Sequence, residues 1–249
     1  MLFISAMRAT IRCLFPRTNN FRILFDIGRF ARCRFLRTQR GRQMEKINYQ
    51  KRLDKLLESF GGETPSLLLH SCCAPCSSYC IEYLSRYFRI TLLYFNPNIS
   101  PKEEYVKRSC ELERLVREMP VQNPVKVVID KYDHEDFLNA VRGLENIPEG
   151  GERCFACYWL RLERAARYAA SNGFDYFCST LSISPRKSSA KLNEIGEELS
   201  EIYAVKHLPN DFKKLNGFKR SVELSEQYRL YRQNYCGCAF SKAESIQGK

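Results

Sequence analysis

The sequence predicts an α/β domain of three layers, in which a Rossmann-like parallel sheet is covered by helices on both faces. Short runs that are apolar throughout alternate along the chain with longer amphipathic segments. Strands without polar positions are typical of parallel sheets, because both of their faces are buried. The 249 residues are enough for one sizeable domain with a real core. Any site is expected beyond the carboxyl ends of the strands.

Apolar runs and turn signals place the elements in order. Strands are expected at 66–70, 90–95, 125–130 and 174–183, with a short fifth strand near 203–207. Helices are expected at 44–60, 77–87, 100–119, 133–144, 154–171, 189–202 and 223–235. Gly61-Gly62 ends the first helix, and Ser100-Pro101 begins the third as a capping box with proline at the first helical position. Asn172-Gly173 ends the longest helix.

Residues 1–43 differ from the rest of the chain. They hold ten arginines, no lysine and one aspartate, and so carry nine of the twelve net positive charges. Such a leader is typical of a transit peptide or a nucleic-acid-binding arm. The alternative is that translation starts at Met44 and the leader is disordered or not part of the native product. We expect residues 44–249 to form a single domain that ends in a helical segment with Cys236-Gly237-Cys238.

The composition of the chain indicates the cellular compartment in which the protein is expected. No run of 18 or more apolar residues occurs, so no transmembrane helix is predicted, and no secretory signal stands out. Twelve cysteines in a chain that does not need disulfides for stability indicate chemistry. We expect a reducing, cytoplasmic location, which suits thiolate ligands.

Two cysteine groups together predict a metal centre. Cys72-Cys73-Ala-Pro-Cys76 follows the first strand, where backbone N–H groups and a helix dipole favour thiolates. Cys154-Phe-Ala-Cys157 stands at a helix start, and positions i and i+3 share one helix face. The pairs 72/73 and 154/157 supply four ligands, with Cys76 as a competing ligand. The count does not separate zinc from a [4Fe–4S] cluster.

The third group, Cys236-Gly237-Cys238, predicts redox chemistry. A disulfide between i and i+2 closes a very small ring, for which Gly237 supplies backbone freedom. Strained disulfides are the labile and catalytic ones.

For two further groups of residues the sequence leaves two interpretations. Arg186 and Lys187 either bind a phosphate or lie in a solvated loop. A set of aromatic and basic residues either binds RNA or packs on the core. That set is Tyr228, Arg229, Tyr231, Arg232 and Tyr235.

Other reactive side chains are expected to be structural. Cys80, Cys110 and Cys178 lie in apolar contexts that favour core packing. His70 ends a strand and is expected to be a hydrogen-bonded histidine rather than a ligand.

Five segments resemble one family, the cobalamin-independent QueH epoxyqueuosine reductases. They are HSCCAPC, YFNPNISPKEEY, RCFACYWLRLERAA, STLSISPRKS and the terminal YCGCAFS, and the resemblance covers residues 44–249. It implies a fold like that of the adenine nucleotide α-hydrolase (HUP) group. The Gly-rich nucleotide loop of that group is replaced here by the cysteine loop, so ATP use is not expected.

The resemblance also implies the site. It predicts a [4Fe–4S] cluster on Cys72, Cys73, Cys154 and Cys157. It further predicts a redox-active disulfide between Cys236 and Cys238. The implied activity is reduction of the epoxide of epoxyqueuosine in the tRNA anticodon loop, the last step of queuosine biosynthesis. An external electron donor, of the ferredoxin or flavodoxin kind, would reset the enzyme, and no membrane partner is expected.

Two hypotheses of other classes stand beside this one. A zinc-stabilised RNA-binding protein explains four thiolates but gives Cys236 and Cys238 no role. A tRNA-thiolating enzyme of the same fold group is disfavoured by the missing nucleotide loop.

Overall fold

The computed structural model describes residues 47–247, and the leader 1–43 lies outside them. Five strands form one sheet in the order β3-β2-β1-β4-β5, and every pair is parallel. The strands are β1 Ser66–His70, β2 Arg89–Tyr94, β3 Val125–Ile129, β4 Tyr176–Ser179 and β5 Lys206–His207. The predicted α/β class with a parallel sheet is confirmed.

Eight α-helices connect and cover these strands in the described residues. They are α1 Tyr49–Glu58, α2 Ala74–Leu84, α3 Lys102–Glu118, α4 His134–Ala140, α5 Glu152–Ser171, α6 Ser189–Tyr203, α7 Gly217–Gln227 and α8 Ala239–Gln247. None of the helices in this part of the chain is long and apolar enough to cross a membrane.

Two cores lie on opposite faces of the sheet. Leu67 and Leu69 of β1 belong to one core, and the intervening Leu68 belongs to the other. This is the alternation that a strand buried on both faces requires. Helices α1, α2, α3 and α7 contribute to the first core, and α5 and α6 contribute to the second. The predicted three layers are therefore present.

Several element boundaries differ from the prediction. Pro101 is the N-cap of α3, and no side chain caps that helix end, so the Ser100 capping box is wrong. The fourth strand ends at Ser179, because Thr180–Ile183 form a 3-10 turn in which the Ser179 hydroxyl accepts from the Leu181 N–H. The helix predicted at 223–235 lies at Gly217–Gln227 instead, and α8 was not predicted.

His207 gives the edge of the sheet a pH dependence. Its ring packs on Gly196 of α6, where a side chain would collide with it, and its Nδ1 is buried without a hydrogen-bond partner. Burial lowers the pKa of His207 to about 3. Only the unfolded chain then takes up this proton below about pH 6.5, so stability is present above that pH and is lost as the pH falls.

We expect His207 to lower the free energy of unfolding by about 2 kcal/mol as the pH falls from about 7 to about 5. Urea denaturation across this range, compared with His207→Phe, measures the effect. The phenylalanine variant should show a shallower loss, since its ring fills the same space without titrating. Equal pH slopes in the two proteins would remove His207 as the cause.

Candidate metal centre and active site

The first cysteine group sits where β1 meets α2. Cys73 is the N-cap of α2, and Cys76 lies in its first turn. The sulfurs of Cys72, Cys73 and Cys76 all lie within 4.8 Å of one another, with 3.9 Å between the first two. Thr180 at the end of β4 accepts a hydrogen bond from the Cys72 N–H at 3.3 Å. These three thiols share a space in which they can hold a metal ion.

The three thiols differ in acidity. Hydrogen bonds from Cys72 and Cys76 hold the pKa of Cys73 well below its usual range. Hydrogen bonds with Cys72 and Cys73 raise the pKa of Cys76 well above its usual range, and the hydrogen bond with Cys73 raises the pKa of Cys72. Cys73 is therefore the most acidic thiol of the group. A thiolate at a helix N-terminus is the form that binds a metal.

The second group occupies the start of α5. This helix begins at Glu152, so Cys154 and Cys157 lie in its first two turns, one turn apart. The Gly150 N–H donates to the Cys154 sulfur at 3.3 Å. Burial raises the pKa of Cys157 to about 12 and also raises that of Cys154. Both stay protonated at neutral pH unless a positive charge or a metal ion compensates the thiolate.

The third group is held in an extended loop ahead of α8. Gly237 has φ +128°, a conformation that favours glycine. The Ser100 N–H donates to the Gly237 carbonyl at 3.1 Å, and the buried Arg108 guanidinium donates to the Cys236 carbonyl at 3.1 Å. Arg108 is fixed in turn by Glu104 at 2.7 Å. The loop is thus clamped from both sides onto the start of α3.

Gly237 should not tolerate a side chain. A Cβ there would lie 2.9 Å from Ile99 Cγ1 and 3.0 Å from Arg108 Nη1. We expect Gly237→Ala to cost more than about 1 kcal/mol of stability and to reduce turnover strongly. Urea denaturation and an activity assay test this. Gly62→Ala is the control, because Gly62 has φ +96° but no atom within 4 Å of the added Cβ. Equal behaviour of both variants would show that the clamp is unimportant.

The predicted cluster ligands fall into two cysteine sets. Cys154, Cys157, Cys236 and Cys238 line a small cavity of about 20 Å³, whereas Cys72, Cys73 and Cys76 line a larger cleft of about 290 Å³. Cys236, Lys187 and Glu149 line both. The three cysteine groups therefore converge on one end of the sheet, and Cys236 stands between the two sets. All ten cysteines of the described residues are thiols.

Two cations lie among these thiols. Arg161 is 1% exposed, its Nε donates to the Cys157 carbonyl at 3.2 Å, and its Nη2 is buried without a partner. Lys187 lines both cavities. Within residues 47–247 neither forms an ion pair with a carboxylate. Burial opposes the charge of each, but the cysteines raise both pKa values: Cys157, Cys236 and Cys72 act on Arg161, and Cys236, Cys72 and Cys76 act on Lys187.

This arrangement fits a thiolate-bound metal group. Thiolates are soft ligands that suit zinc and iron–sulfur clusters. A buried cation requires a compensating negative charge, which ionised sulfurs supply. Arg161 was not singled out from the sequence, although its position four residues after Cys157 placed it on the same helix face.

The other residues that the sequence singled out lie partly in the core and partly at the surface. His70 is fully buried and hydrogen-bonded to Ser179 and to the Phe95 carbonyl, as expected of a structural histidine. Cys80 and Cys178 are in the core, but Cys110 is exposed on α3, so its predicted core role is wrong. Lys187 faces the cysteines rather than a solvated loop.

The chain matches the family model of epoxyqueuosine reductase QueH over residues 67–244. Relatives bearing that name include a protein of Streptococcus pyogenes, 43% identical over 208 residues that span 82% of this chain and 81% of the relative. One from Staphylococcus epidermidis is 43% identical over 79% of this chain and 85% of its own, and one from Thermotoga maritima is 34% identical over 72% and 91%. The chain belongs to the QueH family of epoxyqueuosine reductases, which are oxidoreductases.

Proposed function

We propose that this protein reduces epoxyqueuosine in the anticodon loop of tRNA to queuosine, the last step of queuosine biosynthesis. The observation that carries the proposal is the convergence of three cysteine groups, together with Arg161 and Lys187, around two cavities that share Cys236 and Lys187. The reaction turns an epoxide into an alkene and water, and it consumes two electrons and two protons. A protein that only bound RNA would have no role for Cys236 and Cys238.

Cys236 and Cys238 are proposed as the two-electron donor. When their sulfurs join in a disulfide, the two thiols give up two electrons and two protons, which balances the reduction of the epoxide. Cys236 lines the cleft, and Cys238 lies behind it at 8% exposure. An external donor of the ferredoxin or flavodoxin kind then returns two electrons to the disulfide.

A [4Fe–4S] cluster is proposed on Cys72, Cys73, Cys154 and Cys157. When bound, such a cluster supplies electron relay or Lewis-acid polarisation of the epoxide oxygen. Arg161 and Lys187 support the proposal: the charge of Arg161 acts on Cys72 and Cys157, one from each group, and that of Lys187 acts on Cys72 of the first group. Lys187 also carries its proton beside the cleft, where an oxygen leaving the substrate would need one.

The catalytic domain is proposed to span residues 44–249, with the leader 1–43 outside it. We place the enzyme in the cytoplasm, because thiols and their metal groups persist in a reducing compartment.

The function is tested on the anaerobically purified full chain. Iron, sulfide and zinc are measured, and the protein is then incubated with epoxyqueuosine-containing tRNA and a chemical reductant. Nucleosides from the digested tRNA are identified by mass spectrometry. We expect iron and sulfide in equal amounts and conversion of epoxyqueuosine to queuosine. One zinc per chain, no iron and no conversion would favour a zinc-stabilised RNA-binding protein.

A further inference from the structure

The cleft beside the first cysteine group has the size of a small-ligand site. Its volume is about 290 Å³, and the residues that line it include Cys72, Cys73, Cys76 and Cys236. Ligand pockets typically start near about 300 Å³, so this cleft has room for one nucleotide rather than for a folded RNA stem. A substrate group that enters it comes next to the cysteines.

One wall of the cleft presents an exposed aromatic ring. Phe218, the second residue of α7, is 37% exposed and lines the cleft. The backbone before it is closely packed, because a side chain at Gly217 would collide with the Phe212 carbonyl and the Tyr79 ring. An exposed aromatic ring that lines a cleft gives a planar base a surface on which to stack.

Basic residues flank the same cleft. Arg186 lines it from the loop before α6, and its side chain is 64% exposed, with Glu149 at 4.0 Å as its ion-pair partner. Arg232 also lines the cleft and is exposed, and its Nη1 donates to the Ser225 hydroxyl at 3.3 Å. Both guanidinium groups thus keep N–H groups that can donate hydrogen bonds to phosphate oxygens.

We propose that this cleft receives one unstacked nucleotide of an RNA loop, with Phe218 stacking on a base and Arg186 and Arg232 contacting the flanking phosphates. This proposal rests on the proposed function, and the three residues would be the ones that position the RNA substrate. RNA fits better than an acidic electron-donor protein, because the surface is concave, carries an aromatic ring and ends at the cysteines. A protein donor needs no cavity of nucleotide size.

The test measures RNA binding without turnover. Fluorescence anisotropy gives the Kd of the full chain for a labelled anticodon stem-loop with guanosine at the wobble position, at several salt concentrations. Phe218→Ser is compared with Phe218→Tyr, which keeps the ring. Arg186→Gln/Arg232→Gln is compared with Arg89→Gln/Lys126→Gln, which removes the same charge from exposed positions near the amino ends of β2 and β3.

We expect Phe218→Ser to raise the Kd roughly tenfold and Phe218→Tyr to leave it near the wild-type value. Loss of both arginines at the cleft should make the plot of log K against log salt shallower by about 1.4, whereas the control pair should leave the slope unchanged. All variants share the arginine-rich leader, so the difference in slope isolates the cleft.

Two results would overturn the proposal while leaving the function intact. Wild-type affinity and slope in all cleft variants, with epoxyqueuosine still converted, would place the RNA elsewhere. Wild-type RNA binding combined with slower reduction by a flavodoxin would instead assign the basic rim to an electron donor. Failure of the proposed function is distinct, because the wild type itself would then not convert epoxyqueuosine.

Discussion

Replacing Cys236 and Cys238 together by serine is expected to leave the metal content unchanged and to abolish multiple turnover. Serine fills the space of cysteine but yields neither a thiolate nor a disulfide, so the two electrons that the epoxide needs lose their immediate source. Neither residue belongs to the proposed cluster ligands. We expect turnover to fall by at least about a thousandfold, the size of effect that removal of an activated nucleophile has in other enzymes.

Iron content and the rate of queuosine formation, measured on one preparation, check this result. Cys110→Ser is the matched control, because Cys110 is an exposed thiol on α3 away from the cavities. It should retain both iron and activity. Sustained multiple turnover by the double variant would contradict a redox role for a Cys236–Cys238 disulfide. The electrons would then have to come from the other cysteines.

The sheet was predictable from the sequence because its strands are apolar on both faces, a pattern set by local residues. The segment after α7 was not, because its conformation depends on distant contacts. Arg229 adopts φ +49°, which ends the predicted helix, and the Arg114 guanidinium of α3 donates to the carbonyl of Tyr228 at 3.0 Å. The Tyr231 N–H donates to Glu111 at 2.7 Å. These tertiary hydrogen bonds outweigh a local preference for helix.

The same distinction applies to the site. The three cysteine groups follow from the sequence, since the parallel topology brings the ends of its strands together. Which sulfurs become neighbours does not, because that depends on how the loops pack. Cys76 lies in the first turn of α2, close to both Cys72 and Cys73, while Cys154 and Cys157 share their cavity with Cys238. The pairing of Arg161 with these thiols is likewise a tertiary feature.

Substituting single cysteines should identify the metal ligands. If Cys72, Cys73, Cys154 and Cys157 hold the cluster, Cys157→Ser should lose most of its iron, because a serine hydroxyl is a harder and less acidic ligand than a thiol. Cys76→Ser should keep its iron, since the Cys76 thiol would then be a hydrogen-bonding neighbour of Cys72 and Cys73 and not a ligand. Cys76→Ser is a close control for Cys157→Ser, because the Cys76 sulfur lies within 4.8 Å of the proposed ligands Cys72 and Cys73.

Iron and sulfide analysis and the visible absorption spectrum of anaerobically prepared variants provide the measurement, with circular dichroism to verify folding. Arg161 adds a second readout for Cys157→Ser: without the Cys157 sulfur, its buried guanidinium loses the largest part of its compensating charge, so this variant should also unfold at lower urea concentration. If Cys76→Ser loses iron and Cys157→Ser keeps it, then Cys72, Cys73 and Cys76 bind the metal. Cys154 and Cys157 would then belong with Cys236 and Cys238 to a separate thiol site around the small cavity.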